Sequence, residues 1–257
     1  FYRNESGMVT VKHLAALLIV FFTVGCTSGT IDDAPNEELL QKVNNQNELI
    51  KVYRAKLSQD DNSETRYKLA NAYHIINDYK SSSYYLAPLL LNNSVDKVFL
   101  LEGKNQFELG DFEKALKMAE KALKKNEKLA EAYNLKGITL AMKGELEAAE
   151  ENFNIARKNF ANEEDVINNL AMLQILKENY DAAIDLLIPL YLRGIDNKKV
   201  SHNLAYALVK SGQIMMADEV LSKSGIKEER ESLMLELGMI KPQKIVFNKV
   251  KPITKND

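Results

Sequence analysis

The chain contains the stretch AEAYNLKGITLAMKGELEAAEENF at residues 130–153, in which two small residues, Gly137 and Ala149, stand twelve positions apart. Small residues recur at these two positions every 34 residues through the middle of the chain. The first position holds Gly103, Gly137, Ala171 and Ala205, and the second holds Ala115, Ala149, Ala183 and Ala217. A fixed period of this length indicates stacked helical hairpins, and it favours binding over catalysis.

A period of 34 residues is that of the tetratricopeptide repeat (TPR). In the unit quoted above, Tyr133, Gly137, Ala149 and Phe153 follow the TPR spacing, although tryptophan and the closing proline of the consensus are missing. We therefore predict an all-α fold, a TPR superhelical solenoid of helical hairpins. Its five units span residues 63–95, 96–129, 130–163, 164–197 and 198–230.

The turn inside each unit also recurs. Gly110, Gly144 and Gly212 are in register, and Asn77 is their equivalent in the first unit. Both residue types tolerate the left-handed conformation that ends a helix tightly. Glu178 breaks the pattern in the fourth unit, so either Asn179 takes the left-handed conformation or that turn differs.

Resemblance to the TPR family assigns an inner, concave face to fixed positions of the first helix in each unit. From the third unit onward these positions supply the groove residues Asn134, Ile138, Asn168, Met172, Ile175, His202, Tyr206 and Val209. We predict an apolar groove with amide and imidazole groups along one side, suited to an amphipathic helix or an apolar peptide of a protein partner. The alternative is that capping elements or the chain's own tail fill the groove.

Composition is ordinary for a soluble folded protein, and no motif indicates a cofactor or a reaction. The 257 residues are 46% hydrophobic and 27% charged, and the net charge of −2 is unsuited to nucleic acid. His74 and His202 lie in different repeats with no cysteine or carboxylate cluster at ligand spacing, and no phosphate loop or nucleophile motif occurs. We expect no enzyme activity, no cofactor or metal, and no small-molecule substrate.

The first 25 residues are typical of upstream residues followed by a signal peptide. Lys12 precedes an apolar run from Leu14 to Val24, and we expect Met8 to be the start. The run ends near Cys26, the chain's only cysteine, and residues 23–26 (TVGC) resemble the lipobox of bacterial lipoproteins, with Thr23 where leucine is usual. We predict lipidation of Cys26 and a tether over residues 26–35. There are two alternatives. The run could be an uncleaved membrane anchor, although it is short for one, or it could be a plain signal peptide followed by an incidental thiol.

Further helices are predicted on both sides of the repeats. An apolar face with helical spacing predicts one N-terminal capping helix over residues 36–58. This apolar face consists of Leu39, Val43, Ile50, Tyr53 and Leu57. After the last repeat, residues 227–240 are typical of a capping helix. The end of this helix and the basic tail that follows it together form the last segment, residues 231–257.

Four stretches near the N-terminus resemble the tight-adherence protein D (TadD) family of Flp-pilus systems. They are residues 49–54 (LIKVYR), 67–73 (YKLANAY), 77–79 (NDY) and 84–90 (YYLAPLL). The resemblance implies an outer-membrane lipoprotein, facing the periplasm of a Gram-negative bacterium, that assists assembly of the pilus secretin as a pilotin-like scaffold. It implies no catalytic residues.

Rival functions remain open at this point. A type IV pilus pilotin would have the same architecture and differ only in its client. A TPR lipoprotein of outer-membrane protein assembly or of cell-wall synthesis is a second binding-class alternative, and a hydrolase or transferase would belong to a different class.

Overall fold

The computed structural model describes residues 37–91, 95–194, 198–224 and Gly238. Within these ranges the chain forms α-helices and no strand. The helices are α1 (Glu37–Lys42), α2 (Gln46–Gln59), α3 (Ser63–Ile75), α4 (Tyr79–Leu91), α5 (Asp96–Glu108), α6 (Phe112–Lys125), α7 (Ala130–Met142), α8 (Leu146–Lys158), α9 (Glu163–Leu176), α10 (Tyr180–Leu192), α11 (Lys198–Lys210) and α12 (Ile214–Lys223). The all-α prediction is confirmed.

The ten helices from α3 to α12 form five hairpins, which lie inside the five predicted units except that α9 begins at Glu163, one residue before the fourth unit. Each helix packs against the helices before and after it in the chain. Beyond these neighbours, the first helices of successive units also contact one another, whereas within the described ranges the second helices do not. The layer of first helices is therefore the tighter one, and the stack curves with that layer on its inner side.

Small residues allow this tight packing. Ala70, Ser82, Ala115, Ala149, Ala171, Ala183, Ala205 and Ala217 have no exposed surface. A side chain at Gly103 would crowd the next unit, because a β-carbon there would lie 2.8 Å from Cδ2 of Leu135. Larger side chains at these positions would push the helices apart and open voids between repeats.

The turns inside the units all use the left-handed conformation. Gly110, Gly144 and Gly212 have φ angles of 80°, 80° and 82°, and Asn77 has 63°. In the fourth unit Glu178 itself adopts φ 62°, while Asn179 has an ordinary φ of −88°. The suggestion that Asn179 takes the strained position is therefore wrong: the hairpin geometry is kept, and a glutamate accepts the strain.

The single helix predicted over residues 36–58 is two helices in the structure. Asn44 adopts φ 52° and ends α1, and the Asn45 side chain then accepts a hydrogen bond from the Glu48 backbone amide and caps α2. Asparagine tolerates the left-handed conformation, which is why the chain turns here. As a result Leu39 and Val43 are exposed, and only the α2 part of the predicted apolar face is in contact with the repeats.

Candidate partner-binding groove

The predicted groove lies along the inner layer of first helices. α7, α9 and α11 carry the equivalent positions of three successive units, and contacts between them hold these positions in line. Asn134 and Ile138 come from α7, Asn168 and Met172 from α9, and His202 and Tyr206 from α11.

Two amide pairs connect the units across this face. Nδ2 of Asn169 donates a hydrogen bond to Oδ1 of Asn134, and Nδ2 of Asn203 donates to Oδ1 of Asn168, both at 2.9 Å. Each bond joins residues that are 35 apart in a repeat of 34 residues. The donor of each pair therefore stands one repeat position after the acceptor. These bonds fix the amide orientations and leave Nδ2 of Asn134 as a donor on a half-exposed side chain.

Apolar side chains accompany the amides. Ile138, Met172 and Tyr206 are half-buried, each resting on the core of its own region while part of its surface is exposed. The Tyr206 ring meets that of Tyr180 edge-on, with centroids 6.4 Å apart, and Lys210 Nζ lies 5.6 Å from the Tyr206 centroid. Burial, with smaller contributions from Tyr180 and Glu178, raises the pKa of the Tyr206 hydroxyl, which therefore stays a neutral donor and acceptor at physiological pH.

Two of the predicted groove residues belong to the core. Ile175 and Val209 are only 4% and 8% exposed and lie in the same hydrophobic cluster as Leu204 and Leu208. Ile175 is buried because α11 packs across the end of α9, an arrangement that the repeat spacing alone does not show. Asn168 is also nearly covered, at 9% exposed. The accessible part of the predicted set is Asn134, Ile138, Met172, His202 and Tyr206.

Gly238 bounds the groove at its C-terminal end. Its carbonyl oxygen accepts a hydrogen bond from Nζ of Lys210 at 2.6 Å, and a β-carbon built on it would lie 3.6 Å from Cγ1 of Val209. Gly238 therefore lies against the C-terminal end of α11. Gly238 belongs to the predicted capping segment 227–240 and lies beside Val209, whereas His202, about two turns earlier on α11, is exposed. Whether a capping element or the chain's tail fills the rest of the groove stays an open alternative.

Sequence reasoning missed Asn169, Asn203 and Tyr180. The two asparagines directly follow the predicted positions 168 and 202, and the repeated Asn at the sixth position of the fourth and fifth units was an available signal. Tyr180 lies on the second helix of its unit, and no first-helix pattern could have indicated its contact with Tyr206.

The chemistry of this face is that of binding. Amides can hydrogen-bond a peptide backbone, and the half-buried apolar groups can cover apolar side chains. Among the described residues, no three His, Cys, Asp or Glu side chains come together as a metal site. None of the helices that the structure describes is both long and apolar enough to cross a bilayer. Cys26 lies outside the described residues, as do the signal peptide and the basic tail.

Comparison with known proteins agrees with the repeat architecture. A tetratricopeptide repeat family model matches residues 100–164, which span α6, α7 and α8 and most of α5. The chain folds as a TPR solenoid. No curated protein matches the solenoid's sequence significantly.

Solved structures share the solenoid's fold at low identity. The crystal structure of the APC/C hetero-tetramer Cut9–Hcn1 aligns with a TM-score of 0.66 and 17% identity over 77% of this chain, which spans 41% of that longer one. A TPR protein from Parabacteroides merdae aligns with a TM-score of 0.60 and 15% identity, covering 83% of this chain and 91% of that one. A thermophilic TPR protein from Thermus thermophilus aligns with a TM-score of 0.58 and 17% identity, covering 67% of this chain and 95% of that one. At these identities the likeness concerns the fold.

Proposed function

We propose that the chain is a non-enzymatic scaffold that holds a segment of a client protein along its inner face. TPR repeats are protein-interaction modules, which fits this role. The single observation that carries the proposal is the row of part-exposed apolar side chains, Ile138, Met172 and Tyr206, flanked by the paired amides of successive units.

The chemistry of this row determines which client segments fit it. Three apolar side chains on three successive first helices suit a segment that presents apolar groups at each repeat, and the unbranched Met172 adapts to their shape. Asn134 offers an N–H donor to a client carbonyl, and the exposed imidazole of His202 adds a further polar contact. The segment must end before Val209, where Gly238 already contacts α11.

We further propose that this scaffold is a lipid-anchored outer-membrane protein, pilotin-like, in assembly of the Flp pilus secretion system. The support is the TVGC sequence at Cys26 and the resemblance of the N-terminal stretches to the TadD family. Thr27 follows the cysteine, where aspartate is typical of inner-membrane retention, so outer-membrane sorting is expected by analogy. Acyl chains would hold the groove and its client at one surface and so raise their effective concentration.

The groove is tested by photo-crosslinking in the native envelope. A photoreactive phenylalanine in place of His202 is compared with one in place of Asp185, which is exposed on the second helix α10. The proposal expects a client crosslinked at residue 202 and not at residue 185, and a loss of that crosslink when Met172→Ala and Tyr206→Ala are added. Equal crosslinking at the two sites, or a crosslink unaffected by the alanines, contradicts the groove.

The identity of the crosslinked client tests the pilus role separately. Recovery of a Flp-type secretin supports the pilus role. Recovery of a type IV pilus secretin or a cell-wall synthase contradicts the pilus role but still supports the groove as a binding site. Mass spectrometry of the mature N-terminus tests the anchor: a diacylated or triacylated Cys26 is expected, and an unmodified thiol rejects it.

A further inference from the structure

Helix α6 carries a row of lysines on its outer side. We define the lysine stripe as Lys114, Lys117, Lys121, Lys124 and Lys125. At 100° per residue these five side chains fall within a sector of about 100°, roughly opposite the buried Ala115, Ala119 and Ala122. The stripe therefore faces away from the core along the whole helix, on the second-helix side of the solenoid and not on the groove side.

The two acidic residues of α6 border the stripe and pair with lysines of the next unit. Glu113 pairs with Lys143 at 2.8 Å and Glu120 lies 3.7 Å from Lys136, so both carboxylates point towards α7. Lys114 pairs with Asp111 at the start of the helix, and the Lys121 ammonium lies 5.4 Å from the Phe99 ring centroid. Lys117 and Lys124 are exposed and form no ion pair with any residue that the structure describes.

Two exposed apolar groups lie on α4, the second helix of the preceding unit. Tyr84 and Leu91 are 71% and 84% exposed, and they occupy the positions of the first unit that correspond to Lys117 and Lys124. Leu90 of α4 and Ala122 of α6 belong to one hydrophobic cluster around Phe99, so the two helices, which do not contact each other within the described ranges, both pack against α5. These two successive second helices therefore carry, at equivalent exposed positions, an aromatic and an aliphatic side chain on α4 and two lysines on α6.

We propose that this face of α4 and α6 docks on a bilayer surface that contains anionic lipid. Ammonium groups on flexible stems reach phosphate headgroups, while a tyrosine and a leucine enter the interface between headgroups and acyl chains. The inference rests on the proposed lipid anchor, which would hold the solenoid at such a surface. The tether from Cys26 to the start of α1 is 11 residues long, which spans at most about 35–40 Å.

A lipid surface fits these residues better than a nucleic acid does. The cations of α6 are all lysines, and the planar, bidentate arginine fork that suits base recognition is absent from that helix. The stripe lies on an outward face, which suits a flat partner.

Vesicle flotation of the full chain carrying Cys26→Ser tests this, because no acyl group can then contribute. Vesicles of phosphatidylcholine alone are compared with vesicles that also contain phosphatidylglycerol. The apolar run at residues 14–24 is the same in every variant, so the ratio of binding between the two vesicle types is the readout. Lys117→Glu with Lys124→Glu should reduce that ratio by about tenfold or more, and added salt should do the same to the parent chain.

Lys198→Glu with Lys223→Glu is the matched control, since it makes the same charge change on two exposed lysines of α11 and α12. Its ratio should stay within about twofold of the parent chain's, because charges beyond a Debye length are screened. Tyr84→Ser with Leu91→Ser should weaken binding to both vesicle types without changing the salt dependence.

The proposal is overturned if the stripe variant and the control lower the binding ratio equally. It is also overturned if the parent chain binds the two vesicle types equally. Stripe-dependent binding to duplex DNA or polyglutamate without binding to vesicles would assign the stripe to a soluble polyanion and reject the membrane. An unmodified Cys26 in the native protein would remove the proposed anchor while leaving the flotation result unchanged, so the two failures are distinguishable.

Discussion

The ring of Phe153 fills the space beside Gly137: a β-carbon on that glycine would lie 2.4 Å from Cε1 of the ring. Gly137→Ala should therefore lower the free energy of unfolding by about 1–3 kcal/mol, even though alanine is the better helix former. Urea unfolding followed by circular dichroism measures the change. Gly103→Ala is the comparison, because its nearest neighbour is the movable end of Leu135 at 2.8 Å and its cost should be smaller. An alanine at 137 that leaves stability unchanged would show that Phe153 moves aside freely.

Glu178 stores backbone strain in the fourth hairpin turn. Its φ of 62° is left-handed, and the equivalent residues of three other units are glycines. Glu178→Gly should raise the free energy of unfolding by about 0.5–1 kcal/mol, because the penalty of a side chain in this conformation exceeds the entropy that glycine adds to the unfolded chain. Thermal unfolding provides the measurement.

The reverse exchange in another turn is the matched control. A β-carbon on Gly144 would have no neighbour within 4 Å. Gly144→Ala should therefore lower the free energy of unfolding by about 1 kcal/mol, through the strained backbone conformation alone. If both variants shift stability in the same direction, the left-handed strain is not the cause.

Glu102 is a carboxylate at a buried position of α5. It is 8% exposed; Oε1 accepts a hydrogen bond from Gln106 at 2.6 Å, and Oε2 has no partner among the described residues. Leu170 and Leu204 occupy the same position in later units. Glu102→Leu should raise the melting temperature by a few degrees, which corresponds to about 1 kcal/mol, because the unpaired oxygen no longer loses its hydration on folding.

Glu102→Gln separates charge from shape in this experiment. It keeps the length of the side chain and should give less stabilisation than leucine does, because a polar group stays buried. A leucine variant less stable than the parent chain would count against this account of the site.

Glu37 makes the start of the solenoid sensitive to acid. The hydrogen bond from Lys56 is the main cause that lowers its pKa from 4.5 to about 2; burial opposes this, and Lys68 and Tyr53 lower the pKa further. Because the folded-state pKa lies below the unfolded one, the contribution to stability is complete above about pH 4.5 and disappears as the pH falls towards 2.

Glu37→Gln should thus lower the free energy of unfolding at neutral pH by roughly 1–3 kcal/mol, and the difference from the parent chain should shrink between pH 4.5 and 2. Glu38→Gln is the control. Glu38 pairs with Lys42, both side chains are about 70% exposed, and such a pair contributes little. Chemical unfolding over a pH series gives both values, and a pH-independent difference would speak against the ion pairs as the source.

The repeat period predicted the hairpins well because two helices can approach only at small residues, and those residues are visible at fixed intervals. It could not predict the end of α1 at Asn44, since one residue in a left-handed conformation changes no periodicity. The burial of Ile175 and Val209 depends on what packs across them, α11 in one case and the chain at Gly238 in the other. The amide pairs likewise arise between units, whereas the sequence pattern describes positions within one unit.

Glu37 joins three helices at the point where the described chain begins. Its carboxylate binds Lys56 on α2 and Lys68 on α3, and it accepts a hydrogen bond from the Tyr53 hydroxyl. A pulling force applied to the residues ahead of α1 therefore loads α2 and α3 through these bonds, and the six-residue α1 does not bear it alone. The first hairpin would share the mechanical load of any attachment upstream, and Glu37→Gln should let the N-terminal helices peel away at a lower force.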